Sequence, residues 1–350
     1  MKSYDKPIFA ALMVLLAAAP LVLYPVFLMK VLCFALFALA FNLLIGYVGL
    51  LSFGHAMFFG FAAYVSAHLA KVGTIKIPYI AGMPYAHIEW FVIPQPPLTA
   101  EMAILGGTAV AGILGIIAGF IAIRRQGIYF AMVTLALAQM VFFFCVQAPF
   151  TGGEDGIQAV PRRAMFGVID ISNDLTFYYV VLAIFAAGFL IIHRTIHSPF
   201  GQVRKAIREN EQRAISLGYR VDQYKLVAFV LSATLAGLAG STKAIVFQLA
   251  SLTDVTWQMS GEVVLMTLVG GMGTVFGPIV GAAFIITMQN YLAGFGEWVL
   301  VIQGAIFVIT VLLFRRGVVG EIAQLFRNKA KPVADRSATE ALEGAEAVKS

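Results

Sequence analysis

Few residues in this 350-residue chain could do chemistry, and they are scattered. Catalysis needs converging acids, bases or nucleophiles, yet no HExxH, no GxSxG and no Cys/His cluster occurs. No GxxxxGK[ST] occurs either, so the chain does not hold ATP through a P-loop. Cys33 and Cys145 stand in separate apolar runs without ligand spacing, and read as small hydrophobes rather than a disulfide or metal pair. No catalytic residue, no metal ligand and no cofactor bound by the chain itself is expected.

Two glycine-broken stretches remain. Asn42 to Gly60 contains Asn42, Gly46, Ser52, Gly54 and His55, and Gly270 to Gly281 contains Gly271 and Gly273. Glycine breaks in apolar helices expose backbone groups that can hold a polar ligand, so these seven are the candidate pathway residues. His55 is an ionisable side chain beside a break; it reads either as functional or as a neutral ring pinning the turn. Glu262 and Lys243 are expected near span ends, where long side chains reach the interface and serve position more than function.

The elements that must position these residues are membrane helices. Sixty per cent of the chain is apolar, 12% is charged, and the mean hydropathy is +0.88. A soluble domain carries about 25% charged residues, whereas a bilayer takes up roughly 20 apolar residues per helix. Ten spans are expected, at about 8–29, 31–51, 56–70, 102–123, 128–147, 176–193, 225–248, 259–271, 276–293 and 298–314. The fold class is therefore an all-α integral membrane protein, with several spans short or glycine-broken. The Ala17-Ala18-Ala19 run resembles a signal-peptide cleavage site, but Pro20 follows it, so an uncleaved span is expected.

The net charge of +6 suggests orientation rather than nucleic acid, because the basic residues cluster at the ends of apolar runs. Arg124-Arg125, Arg194 to Lys225 and Arg315-Arg316 are expected to be cytoplasmic, with both termini on that side; Lys30, Lys71, Lys76 and Arg162-Arg163 are exceptions. Residues 72–100 hold too many prolines for a helix, and 148–175 is turn-rich. Residues 1–326 form the membrane domain, and 327–350 read as a disordered cytoplasmic tail. Small residues recur every fourth position at Ala103, Gly107, Ala111, Gly115 and Gly119, at Ala236, Gly240 and Ala244, and at Gly273, Gly277 and Gly281. Such stripes let helix backbones approach closely, a packing role more than a pathway role.

The most informative polar stretch is Ser198 to Lys225. Val203, Ala206, Ile207, Ala214 and Leu217 form an apolar face over 203–217, with Arg204, Lys205, Arg208, Glu209, Glu211 and Arg213 around the rest and Gly218 at the C-terminal cap. One amphipathic helix parallel to the membrane suits docking into a partner, or else lying on lipid headgroups.

With these residues in view, the chain resembles the permease family of branched-chain amino-acid ABC importers over about 30–315, particularly its LivM-type member. The resemblance rests on Asn42 to Tyr47 with Leu51 to Ala56, on Thr151-Gly152-Gly153 with Asp155-Gly156, on Gly201 with Ala206 to Glu211, and on Gly270 to Thr274. It implies a coupling helix at 203–217, with Val203, Ala206, Ile207, Arg208, Glu209, Asn210 and Glu211 meeting an ATPase. It further implies a second homologous permease, two cytoplasmic ATPase subunits that hold the ATP, and an external binding protein delivering leucine, isoleucine or valine. A multi-pass protein of a bacterial inner membrane is expected. Permeases of this kind also move urea and short amides. A secondary transporter, or a channel, is the alternative from another class, and a membrane-embedded enzyme is a distant one.

Overall fold

The computed structural model describes residues 5–321 apart from 72–74, 82–86, 94–97, 166, 168–169, 293, 295, 297, 314–316 and 318. Arg315, Arg316 and the expected tail at 327–350 lie outside the described residues. Helices α1 (Asp5–Ala18), α2 (Pro25–Ile45), α3 (His55–Lys71), α4 (Ala100–Ala122), α5 (Ile128–Gln147) and α6 (Asp174–His197) come first. Two short helices follow, α7 (Pro199–Glu209) and α8 (Glu211–Ser216). The chain then runs through α9 (Val221–Phe247), α10 (Trp257–Gly270), α11 (Gly277–Leu292) and α12 (Trp298–Leu313).

The first expected span, drawn unbroken over 8–29, is two elements. A 3-10 turn at Ala19–Leu21 takes in Pro20, Tyr24 is extended, and Pro25 opens α2. A proline in the first turn of a helix loses no intrahelical hydrogen bond, so it starts α2 rather than kinking it. Among the described residues, five helices are long and apolar enough to cross a membrane: α2, α4, α5, α6 and α9. Of the remaining bundle helices, α1 and α10 have 14 residues, α11 and α12 have 16 and α3 has 17, at or below the short end of the roughly 17–25 that a span takes.

α2 is the central helix. Met29, Phe37, Leu39, Phe41 and Leu43 are all buried on its different sides, which its nearly continuous apolar sequence allows. Beside it, α3, α4 and α9 pack on one another through small residues. A methyl at Gly107 would sit 2.6 Å from the Ala62 carbonyl, and one at Gly115 would sit 2.7 Å from Ala233 Cβ. A methyl at Gly240 would lie 3.0 Å from Phe59 Cα. The α4 and α9 stripes therefore set backbone-to-backbone packing, since lipid gives helices no hydrophobic reason to associate. The third stripe is interrupted: Gly277 and Gly281 lie on α11, but Gly273 sits in the preceding loop with φ +77°.

The proline-rich segment forms a hairpin, β1 (Ile75–Ala81) with β2 (His87–Ile93), and β3 (Ile157–Gln158) pairs with β4 (Leu249–Ala250). Gly152, Gly153 and Gly156 all take positive φ in the turn before β3. Two basic residues that break the charge rule have internal partners. Arg162 pairs with Asp174 at 2.6 Å and donates to the Val246 carbonyl, while Lys71 Nζ donates to the Gln158 carbonyl. Lys243 does not reach for the interface as expected: it is buried and paired with Asp254 Oδ2 at 2.6 Å.

Candidate functional site

Asn42 ends α2 with its side chain turned onto the loop before α11. Its Nδ2 donates to the Thr274 carbonyl at 2.8 Å, and its Oδ1 accepts from the Gly273 N–H at 2.9 Å. The amide thus pairs with one residue's donor and the next one's acceptor, as a neighbouring strand would. Thr274 Oγ1 closes the loop, donating to the Gly271 carbonyl at 2.7 Å and accepting from the Gly277 N–H at 3.0 Å. Gly46 completes the junction because nothing larger fits: a methyl there would stand 2.6 Å from Asn42 O and 2.8 Å from Gly273 N. Arg208 Nη1, from α7, donates to the Gly46 carbonyl.

These groups border a cavity of about 1030 Å³, lined by Gly46, Gly273 and Thr274 on one side and by Gln202, Lys205, Arg208 and Glu209 of α7 on another. The two regions that sequence reading kept apart, the glycine breaks and the amphipathic segment, share this one junction. Gln126 Nε2 donates to Glu211 Oε1 at 2.8 Å, which places the Arg124-Arg125 turn at the same end of the bundle as α7 and α8.

The remaining candidates form a second group. His55 is fully buried at the start of α3, edge-on to Phe41, Phe58 and Phe229. Its Nε2 lies 2.8 Å from Ser232 Oγ, and that hydroxyl donates to the Ala40 carbonyl at 2.5 Å. The hydroxyl proton is thereby committed, so Nε2 carries the proton and donates, leaving Nδ1 unprotonated without a partner among the described residues. Ser52 Oγ accepts from the Gly54 N–H at 3.2 Å, and Ser260 Oγ accepts from the Ala56 N–H at 2.9 Å. Gly54 lies against the Thr134 carbonyl with no room for a side chain. Ser52, Gly54 and His55 therefore fasten the α2–α3 connection to α5, α9 and α10 and do not line the cavity beside α7; Gly271 is buried at the end of α10 with φ +120°.

The amphipathic segment differs from a single helix over 203–217. Ser198 caps α7, four residues earlier than expected, by accepting from the Gly201 N–H. The helix then breaks at Asn210, whose extended backbone lets its side chain cap α8 through the Arg213 N–H at 3.0 Å. Its apolar face is also not available for docking as expected. Ile207 and Ala214 bury against Val221, with Val203 and Tyr224 packed around them. Leu217, expected on that face, is 70% exposed, as Ile215 is at 49%. Glu211 is held by Lys225 at 2.6 Å. Ala206, Arg208, Glu209 and Asn210 stay exposed.

Arg204, expected on the polar face, is fully buried. Its guanidinium lies 4.6 Å over the Phe200 ring, and Nε, Nη1 and Nη2 have no hydrogen-bond partner among the described residues. Burial pulls it down to about 10, while Tyr47 acts weakly in the opposite direction. Its spacing of four from Phe200 was the available sign, since a stacked Arg can enter an apolar face. Cys33 and Cys145 are both buried and unbridged, and no three His, Cys, Asp or Glu gather for a metal among the described residues.

An apolar multi-helix bundle, with helix breaks fastened to a short surface helix pair, defines a multi-pass membrane protein. The chain belongs to the family described as branched-chain amino acid transport system / permease component, whose model matches residues 25–311. It is 26% identical over 302 residues to the high-affinity branched-chain amino acid transport system permease protein LivM of Salmonella typhimurium, covering 80% of this chain and 66% of that protein. LivM of Escherichia coli aligns with the same figures, 26% identity, 80% and 66%. The chain thus spans just under two thirds of these relatives' length. A probable LivM of Methanocaldococcus jannaschii is 26% identical over 259 residues, covering 70% of this chain and 74% of that protein. No solved structure matches the chain.

Proposed function

We propose that this chain is one membrane subunit of an ATP-driven importer that carries leucine, isoleucine and valine inward between itself and a second, homologous permease. It has no ATP site of its own in this reading. Two ATPase subunits dock from the cytoplasm on α7 and α8, and an external binding protein delivers the substrate at the opposite end. In this reading the bundle crosses the inner membrane ten times, with α1, α3, α10, α11 and α12 completing their crossings through the non-helical residues at their ends, and the α7–α8 end and both termini are cytoplasmic. The observation that carries the proposal is the Arg208–Gly46 contact, in a chain whose family is a permease family. Through it, a push on α7 reaches the ends of α2 and α10 and the loop before α11 together. The docking face is the exposed one, with Ala206, Glu209, Ile215 and Leu217, since Ile207 and Ala214 are already covered.

His55, Ser52 and Gly54 hold the bundle together in this scheme, while Asn42, Gly46, Gly271 and Gly273 form the hinge at the inner mouth of the pathway. ATP-dependent uptake of labelled leucine into proteoliposomes holding the whole complex tests the reading. Competition by excess urea would assign the chain instead to the short-amide members of its family. Uptake by this chain alone, without ATP, would make it a secondary transporter.

A further inference from the structure

The cavity of about 1030 Å³ beside α7 carries charges that the bundle leaves unpaired. Lys205 and Arg208 both line it, and neither meets a carboxylate among the described residues. Glu209, in the same wall, pairs with neither of them. Lys205 Nζ lies 5.6 Å over the Tyr47 ring, and of the Arg208 nitrogens only Nη1 has an acceptor among the described residues, the Gly46 carbonyl. An ammonium and a guanidinium offer several donors each, so most of theirs stay open. Two cations against one acid, in a concave wall, concentrate anions. Ile196 and Val275 add apolar surface beside them.

After α12 the chain passes the rim of this cavity. Gly317 packs against Gly271 with φ +72°, and a methyl on it would stand 2.8 Å from the Leu268 carbonyl oxygen. Gly271 immediately precedes the Met272-Gly273 turn, and Gly273 is in the cavity wall. Charge then separates along the sequence. Residues 327–336 hold Arg327, Lys329, Lys331 and Arg336 against Asp335 alone, whereas 337–348 hold Glu340, Glu343 and Glu346 with no Lys or Arg. The stretch from Gly317 to Glu340, as a flexible chain, spans about 25 Å on average. Such a tether holds the acidic segment near the cavity at an effective concentration on the order of millimolar, so weak charge pairs suffice. We infer that residues 340–346 dock in this cavity, carboxylates on Lys205 and Arg208 and Leu342 toward Ile196 and Val275, and so hold α7 against the helix breaks. The restraint on transport rests on the importer reading; the contact does not.

A disulfide trap in the full chain, in its native membrane, tests the contact. Gln202 lines the cavity and Ala345 belongs to the acidic segment, so Gln202→Cys with Ala345→Cys should cross-link within one chain under mild oxidation. Cys33 and Cys145 are buried and do not compete. The rate should exceed that of a control pair, Ser216→Cys on exposed α8 with Ala345→Cys, by about tenfold or more, as one charge-assisted contact provides. Glu340→Gln, Glu343→Gln and Glu346→Gln together should lower it to the control's rate. Potassium chloride at about 0.5 M should do the same, because salt screens exposed charge pairs. Lys205→Gln should act alike, and the glutamate variants decide the matter even if Lys205→Gln fails to fold.

Equal rates for the two pairs, or a rate indifferent to the glutamates and to salt, would overturn the docking. So would a disulfide that joins two chains rather than closing within one, since the occupant would then be a second copy. Loss of the cross-link when peripheral proteins are stripped from the membrane would also overturn it, because a partner would be holding the segment. ATP-driven leucine uptake by the whole complex separates the two layers. The triple glutamine variant should transport about fivefold faster or more, the lower end of a regulatory coupling. An unchanged rate overturns the restraint and leaves the contact, whereas a trapped contact in a complex without uptake leaves the contact and removes the importer.

Discussion

Arg208 of α7 donates a hydrogen bond to the backbone carbonyl of Gly46, 162 residues earlier, where α2 gives way to the turn before α3. A surface helix is thus bonded to the end of the most buried helix in the bundle. Arg208→Ala should leave insertion intact and lower uptake by about tenfold, the effect of one lost hydrogen bond to a charged group. Arg208→Lys should recover part of it, since lysine supplies a point charge without the fixed fork. Uptake equal to wild type in Arg208→Ala would leave this contact without a role in coupling.

The Asn42 clamp makes a sharper prediction about stability. Asn42→Ala leaves the Gly273 N–H and the Thr274 carbonyl, both half-buried, without their partner, a loss of about 1 kcal/mol. Thermal unfolding in detergent should show a lower Tm, and limited proteolysis should cut first at 271–276. A Tm matching wild type would mean the clamp forms only in part of the population.

Ala206 is exposed on the outer side of α7, so Ala206→Glu should insert and fold normally yet abolish ATPase association. Leu217→Asp should act alike, because Leu217 projects from the end of α8. Ile207→Asp should instead destabilise the chain itself, since Ile207 is buried against Val221. Co-purification of ATPase subunits with each variant checks the distinction; intact binding by Ala206→Glu would mean the partner meets another surface.

Arg204 is a buried cation without a hydrogen-bond acceptor among the described residues, so a neutral, similarly long side chain should be tolerated better. Arg204→Met is expected to raise stability by about 1 kcal/mol or more, by analogy with apolar replacement of buried charges. The lowered guanidinium value of about 10 gives a pH signature of the same sign. The unfolded chain binds the proton more strongly, so wild-type stability should gain on Arg204→Met as pH climbs above about 10. A drop in Tm for Arg204→Met would show that the ring contact with Phe200 outweighs the desolvation.

Much of the bundle was legible because apolar runs, glycine stripes and capping residues act locally. The α5 ends fall where the pattern put them, and Gly218 takes the left-handed conformation its place after α8 requires. What sequence could not show depends on partners distant along the chain. The apolar face of α7 and α8 read as a docking face because nothing local reveals that Val221 and Tyr224 cover it. Lys243 read as a snorkelling side chain because Asp254 reaches it only through the turn after α9. Asn42 and Gly273 were both singled out, but their hydrogen bond spans 231 positions and joins two breaks that looked merely similar. The break at Asn210 was masked by periodicity, since α7 and α8 together keep an apolar residue at helical spacing across it.

In the proposed function this chain is the membrane part of an ATPase-driven assembly, gripped at α7 and α8. The most direct measurement is cross-linking in the native membrane, then purification through a tag on this chain and mass spectrometry of its companions. Recovery of P-loop ATPase subunits with a second hydrophobic permease, with cross-links mapping to 206–217, is the predicted result. Recovery of this chain alone would contradict it and bring the secondary transporter forward.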